Sequence, residues 1–123
     1  MEWTERQKQA IEERNCNLLV SAAAGSGKTA VLVERIQRLL LDENCSLLGM
    51  LIVTFTQAAA AEMKEKIYKS LSRAVRDDSL SSEKKRFLKR ELLSIGRANI
   101  STFHKFALEI IHNYYLIPLF NKY

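Results

Sequence analysis

Residues 20 to 29 read V-S-A-A-A-G-S-G-K-T, a run of side chains with almost no bulk that ends in one lysine and one hydroxyl. These types in this order suit a phosphate chain. The backbone must come close to the phosphates, so the side chains must be small. Several N–H groups must converge on one place, as they do where a tight loop enters a helix N-terminus. Lys28 adds a positive charge on a flexible stem, and Thr29 adds a hard oxygen of the kind that Mg²⁺ takes. Gly25-Ser26-Gly27-Lys28-Thr29 therefore reads as a phosphate-binding loop of the G-x-x-x-x-G-K-[ST] type. The first glycine of that pattern falls at Ala22. Alanine is still small, and it requires the backbone there to avoid positive φ.

Such a loop needs a strand before it and a helix after it, and the flanking pattern offers both. Asn17 to Ser21 reads as a short buried strand. From about Gly27 to Leu41, Val31, Leu32, Ile36, Leu39 and Leu40 recur at helical spacing. Ahead of the strand, Thr4-Glu5-Arg6-Gln7 has the capping-box form and predicts a helix to about Arg14. Asp42 to Ser46 is a polar loop. Met50 to Phe55 predicts a second apolar strand, followed by a helix over Gln57 to Ser72 and a polar turn over Arg76 to Ser82. A helix over Ser82 to Ile95 ends at Gly96. Asn99 to Thr102 predicts a third strand, and Phe103 to about Tyr115 a last helix, with Pro118 beyond it. Apolar strands alternating with helices predict an α/β fold, with one parallel sheet covered by helices on both faces.

Composition narrows the class. The 123 residues, 47% hydrophobic and 27% charged, suffice for one small domain with its own core. A net charge of +5 is compatible with a polyanionic partner. No apolar run approaches the roughly 18 residues that span a membrane, and the charged N-terminus M-E-W-T-E-R-Q-K lacks a signal-peptide core. A cytoplasmic protein with no membrane partner is expected, and with it two free thiols at Cys16 and Cys45. The stretch from Lys64 to Arg97 holds 11 basic and 5 acidic residues. It reads either as a surface near a nucleic acid or as solvated helix faces.

Three further stretches, taken with the phosphate loop, resemble a known family: W-T-E-R-Q-K-Q-A-I (Trp3 to Ile11), V-T-F-T-Q-A-A-A-A-E-M (Val53 to Met63) and I-S-T-F-H-K-F (Ile100 to Phe106). In order and spacing they resemble the Q motif, motif I, motif Ia and the TFH motif of UvrD/Rep-type superfamily 1 DNA helicases. The wording S-A-A-A-G-S-G-K-T-A-V-L-V-E-R-I is most similar to the helicase-nuclease branch of that family. The resemblance runs from Trp3 to about Tyr115. It implies that residues 1–123 are the N-terminal part of a first RecA-like, P-loop NTPase domain of an ATP-dependent DNA helicase of repair and recombination, with an exonuclease activity elsewhere in the protein.

Residue by residue, the resemblance implies nucleotide contacts at Gln7, Ala24, Gly25, Ser26, Gly27, Lys28, Thr29 and Ala30. ATP and Mg²⁺ are the implied cofactors, with Thr29 on the metal. Gln7 would read the adenine edge, since an amide both donates and accepts; read from the residues alone, it could simply close the capping box. Phe55, Thr56 and His104 would contact single-stranded DNA, with Phe55 offering a flat face for stacking. Without the resemblance, Phe55 would read as core beside Phe103, and His104 as a satisfied, partly buried histidine. Gln57 replaces the motif Ia asparagine, and Lys105 replaces the small residue after the TFH histidine.

No D-E-x-Q-like acidic pair follows an apolar strand, and no second RecA-like domain supplies arginine fingers, so the chain reads as a piece of a motor that binds nucleotide without turning it over. A second helicase-nuclease subunit is the implied partner of the whole protein. A homodimer of the piece is expected, through strand-edge pairing or exchange of the Phe103 to Tyr115 helix. The rival readings are a non-catalytic nucleic-acid-binding P-loop protein and a small P-loop kinase or GTPase. The latter lacks a lid and acceptor site in the first case and an N-K-x-D-like element in the second.

Overall fold

The computed structural model describes residues 2–23, 25 and 27–114. Five helices, α1 (Glu5–Glu12), α2 (Lys28–Glu43), α3 (Gln57–Val75), α4 (Ser82–Ser94) and α5 (Phe103–Tyr114), accompany two strands, β1 (Leu51–Thr54) and β2 (Asn99–Thr102). The strands pair in parallel, with Leu51 opposite Asn99 and Thr54 opposite Thr102. Parallel neighbours need a crossover, and here α3 and α4 supply it.

Each of three helices starts where a hydroxyl can take an orphan amide. Thr4 Oγ1 accepts from the Gln7 N–H at 3.3 Å while Gln7 Oε1 accepts from the Thr4 N–H at 2.9 Å, completing the capping box. Thr56 Oγ1 accepts from Ala59 at 3.1 Å to start α3, and Ser81 Oγ from Lys84 at 3.2 Å to start α4. Asn44, at φ 52°, ends α2 in the left-handed conformation that asparagine tolerates. α4 stops just ahead of Gly96 as expected, passing into a 3-10 turn (Ile95–Arg97), and Gly96 there is not among the residues at positive φ.

α3 carries the core. Its buried stripe, Ala60, Met63, Ile67, Leu71 and Ala74, recurs at three- and four-residue steps. It packs against Ile36 and Leu40 of α2, Ile52 and Ile100 of the strands, Leu88 of α4, and Leu47, which sits in the 3-10 turn ahead of β1. Glu91 on α4 is buried and satisfied there, accepting from the Leu47 N–H at 2.8 Å and from Ser46 Oγ at 3.3 Å. A second, smaller cluster joins α1 to α2 through Ala10, Ile11 and Val31, with Trp3 packed on it.

The structure corrects the sequence reading in two places. Asn17 to Ser21 forms no strand; its backbone pairs with neither β1 nor β2, and Leu19 is 93% exposed. A strand needs a partner ladder for its N–H and C=O groups, and apolar composition does not specify one. The sheet therefore has two strands rather than three among the described residues. The helix cover is heaviest over the Ile52 and Ile100 side of the sheet; on the other side Leu51 stays 49% exposed while Ser101 is buried, so that face is covered only in part among the described residues. α5 buries none of its residues. Tyr115 and Pro118 lie outside the described residues.

Leu88 is fully buried between α4 and the rest of the core, whereas Leu93, five residues on, is 87% exposed. Leu88→Ala should lower unfolding free energy by about 2–5 kcal/mol in urea titrations, and Leu93→Ala by less than about 0.5 kcal/mol. Equal effects of the two changes would contradict the packing described.

Candidate nucleotide and nucleic acid sites

The first candidate site is built where α1 meets α2. Arg35 on α2 donates to the Ala10 carbonyl at 2.8 Å, taking one of the orphan carbonyls at the end of α1. Arg14 donates to the Ile11 carbonyl at 2.7 Å and pairs with Glu43 at the far end of α2. With the Ile11–Val31 contact, these bonds fix α1 along α2. One consequence is local: Gln7 Nε2 lies 3.7 Å from the point where a Cβ on Gly27 would stand. The amide side chain of α1 thus faces the loop that opens α2.

That loop turns on two glycines in the left-handed region, Gly25 at φ 81° and Gly27 at φ 86°. No atom crowds either position closer than ordinary van der Waals contact. The requirement for glycine is conformational, since an L side chain is strained at such φ. Ala22 is absent from the positive-φ residues, as its Cβ demands.

Gly27 caps α2 and has no side chain to bond the first-turn amides, and no other side chain among the described residues does so, in contrast to α1, α3 and α4. The helix start therefore presents N–H groups with no side-chain partner among the described residues, and the positive end of its dipole. Lys28 is exposed at the first helical position, with Thr29 and Ala30 half-buried behind it. Ala24 and Ser26 lie outside the described residues. Lys28 also borders a cavity of about 500 Å³ between α2 and the extended segment that carries Cys16, Leu18 and Val20. Cys16 and Cys45 are free thiols.

These groups can hold an anion with several oxygens. For Mg²⁺ the protein offers the Thr29 hydroxyl. No cluster of three His, Cys, Asp or Glu side chains that could hold a metal occurs among the described residues. That donor set suits an ion held mainly by phosphate oxygens and water, which is how Mg²⁺ is often bound.

The second candidate site stands at the carboxyl ends of the strands, where parallel sheets present their ligand crevices. The Thr54–Thr102 pairing places Phe55 and Phe103, the next residue of each chain segment, side by side: their ring centroids are 6.2 Å apart at 45°. Neither ring is in the core, since Phe55 is 92% and Phe103 58% exposed. Thr56 is exposed, and its hydroxyl is engaged in capping α3. His104 is exposed in the first turn of α5, which Thr102 caps by accepting from the Lys105 N–H at 3.1 Å. The structure thus gathers Phe55, Thr56 and His104 at one sheet end and Gln7, Gly25, Gly27, Lys28 and Thr29 at the α1–α2 junction.

Two contributors escaped the sequence reading. Phe103 is an exposed aromatic partner of Phe55, and the repeated strand-Thr-Phe wording at 54–55 and 102–103 was the available signal. Arg35, which ties α1 to α2, has no local pattern that marks it.

The model of the UvrD/REP helicase N-terminal domain matches residues 3–117. The chain is similar to the A component of the ATP-dependent helicase/nuclease of Clostridium beijerinckii, 51% identical over 115 residues, which is 92% of this chain and 9% of that protein. It is 51% identical over 120 residues to the protein of the same name from Clostridium perfringens strain 13, covering 95% of this chain and 9% of the relative. The corresponding protein of Clostridium acetobutylicum is 46% identical over 120 residues, again 9% of its length. The chain thus spans about one-eleventh of the relatives it matches.

The two left-handed glycines give a direct test of the loop. Gly27→Ala should cost about 1–2 kcal/mol of stability through backbone strain alone. Gly49→Ala, where φ is not positive and nothing lies within 4 Å, should shift stability by less than about 0.5 kcal/mol. Chemical denaturation of both variants is the measurement, and an unstrained Gly27→Ala would refute the assigned backbone.

Proposed function

The chain belongs to the UvrD/REP helicase family, and from that premise we propose that it is the ATP-binding and single-stranded-DNA-contacting part of a helicase-nuclease motor acting in DNA repair and recombination. In this reading residues 1–123 form the N-terminal part of a RecA-like domain, the whole protein is a cytoplasmic ATP-dependent helicase with exonuclease activity, and a second helicase-nuclease subunit is its partner. The observation that carries the proposal is the start of α2: two left-handed glycines, no side-chain cap, and Lys28 exposed at the first position.

ATP with Mg²⁺ supplies the transferable phosphoryl group when bound; the rest follows from this chain's own residues. The first-turn amides of α2 receive phosphate oxygens without giving up a side-chain cap, because none among the described residues occupies them. Lys28 contributes a point charge, and the Thr29 hydroxyl is the protein's oxygen toward the metal. Gln7 meets the base: its Oε1 is fixed by the Thr4 N–H, which leaves both Nε2 hydrogens for ring-nitrogen acceptors and a second Oε1 lone pair for an amino group. Adenine presents both kinds of partner on one edge.

At the strand ends, Phe55 and Phe103 provide aromatic faces in water, the arrangement on which bases of a single strand stack. Thr56, with its hydroxyl committed to the cap, contributes mainly through its position beside the ring. His104 adds an exposed imidazole to the same end. The 123 residues hold no acidic pair after either strand, so nothing in them orients an attacking water. The kinase and GTPase readings are not favoured by any feature of the site.

The chain is expected to bind ATP with turnover far below that of a helicase. Lys28→Ala should weaken binding by about 1.5–3 kcal/mol in calorimetry, the scale of a hydrogen bond to a charged group. Gln7→Ala should erase the preference for ATP over GTP. Equal affinity for ATP in wild type and Lys28→Ala would sink the phosphate assignment.

Phe55→Ala should weaken oligo-dT binding by about 1–3 kcal/mol in fluorescence anisotropy while leaving ATP affinity unchanged. Unaltered oligo-dT affinity would remove Phe55 from the DNA site.

A further inference from the structure

α3 and α4 manage charge differently. On α3, Glu62 pairs with Lys66 at 2.7 Å and Glu65 with Lys69 at 2.8 Å, the i,i+4 lacing of a solvated helix. The Lys69 ammonium donating to Glu65 holds that carboxyl below its usual range. α4 has two carboxylates, and one of them, Glu91, is buried and bonded to Leu47 and Ser46. Arg86, Lys89 and Arg90 are exposed, and among the described residues none of the three forms an ion pair. With Glu83 they line an open hollow of about 610 Å³. Arg86 and Arg90 are one turn apart, so like charges face each other at i,i+4, which disfavours the helix in isolation.

This surface is separate from the Phe55 end of the sheet. Glu91, next to Arg90, bonds the turn that precedes β1, so this part of α4 stands by the amino ends of the strands, whereas Phe55 and Phe103 follow their carboxyl ends. It also differs in kind. The one aromatic residue of α4, Phe87, packs on the core and offers no face for stacking. What remains is guanidinium and ammonium, groups that read phosphate geometry and not bases.

The geometry points to a second DNA contact: Arg86, Lys89 and Arg90 of α4 hold the phosphate backbone of duplex DNA, on the side of the domain away from the single-strand site. The inference rests on the DNA-motor reading above. Single-strand surfaces combine a basic groove with stacking aromatics, and α4 has only the first. Duplex binding without sequence readout is carried by cations on phosphates alone. An acidic protein partner would want an apolar centre to the patch, and the exposed Leu93 is the single large apolar side chain beside these cations.

The experiment uses the 123-residue chain, a blunt duplex, oligo-dT of the same length and polyglutamate, read by fluorescence anisotropy across a salt series. The Arg86→Ala/Arg90→Ala variant should lose duplex affinity about tenfold, and its slope of log affinity against log salt should shrink by about 2, since each phosphate contact contributes about 0.9. Oligo-dT affinity should change less than about twofold, and the melting curve should match wild type because both side chains are exposed. Phe55→Ala should show the reverse pattern. If Phe55→Ala spares oligo-dT while the α4 variant loses duplex, the strand-end reading fails and this one stands. Wild-type duplex affinity and slope in the α4 variant overturn the proposal. So does a loss confined to oligo-dT, binding of polyglutamate but not duplex, or a wild-type chain that binds no duplex.

Discussion

The parallel pairing of β1 with β2 is the constraint on which the rest depends. Each strand has four residues, and so short a ladder cannot hold itself against water. It persists because Ile52 and Ile100, partners in the register, both face the buried stripe of α3. The register decides more than stability. A slip of one residue would put Ile52 and Ile100 on opposite faces, and it would also separate Phe55 from Phe103, which meet only because Thr54 and Thr102 are opposite. The same hydrogen bonds that close the core thus compose the aromatic pair at the sheet's end.

The phosphate loop depends on a different kind of constraint. Its shape is set by backbone conformations that only glycine adopts without strain, at positions 25 and 27. Its placement is set by α1, tied to α2 through Arg35, Arg14 and the Ile11–Val31 contact. With Gly27 as N-cap, α2 forgoes the hydroxyl bond that Thr4, Thr56 and Ser81 give their helices, at a cost of only a few tenths of a kcal/mol, since glycine is itself a tolerated N-cap. A helix start that forgoes a protein cap is open to a ligand that offers oxygens in its place.

Most of this was legible in the sequence where the signal is local. The T-E-R-Q box, the helical spacing of α2, the start of α3 at Gln57, and the strands expected over Met50 to Phe55 and Asn99 to Thr102 read correctly to within a residue or two, because capping and periodicity act within a few residues. The failures are non-local. Asn17 to Ser21 is apolar enough for a buried strand, yet burial and pairing require a neighbour, and composition names none. Leu51 read as covered because the strand is apolar throughout, although Ile52 alone of that pair meets α3. Phe55 read without the family resemblance as core. It is exposed because the chain leaves the sheet at Thr54, one residue before the ring.

Gln7 shows how two readings that compete on paper combine in the fold. A capping glutamine and a ligand-reading glutamine look like alternatives when only the sequence is available. In the structure, Oε1 accepts from the Thr4 N–H, and this bond orients the amide plane so that Nε2 approaches Gly27. A free glutamine on an exposed helix would lose up to about 2 kcal/mol of rotamer entropy on being ordered by a ligand. Here the cap has already restricted it, so the ordering cost falls on folding instead of binding. The capping bond is therefore a condition for the amide to act on a ligand, because it aims the group before any ligand arrives.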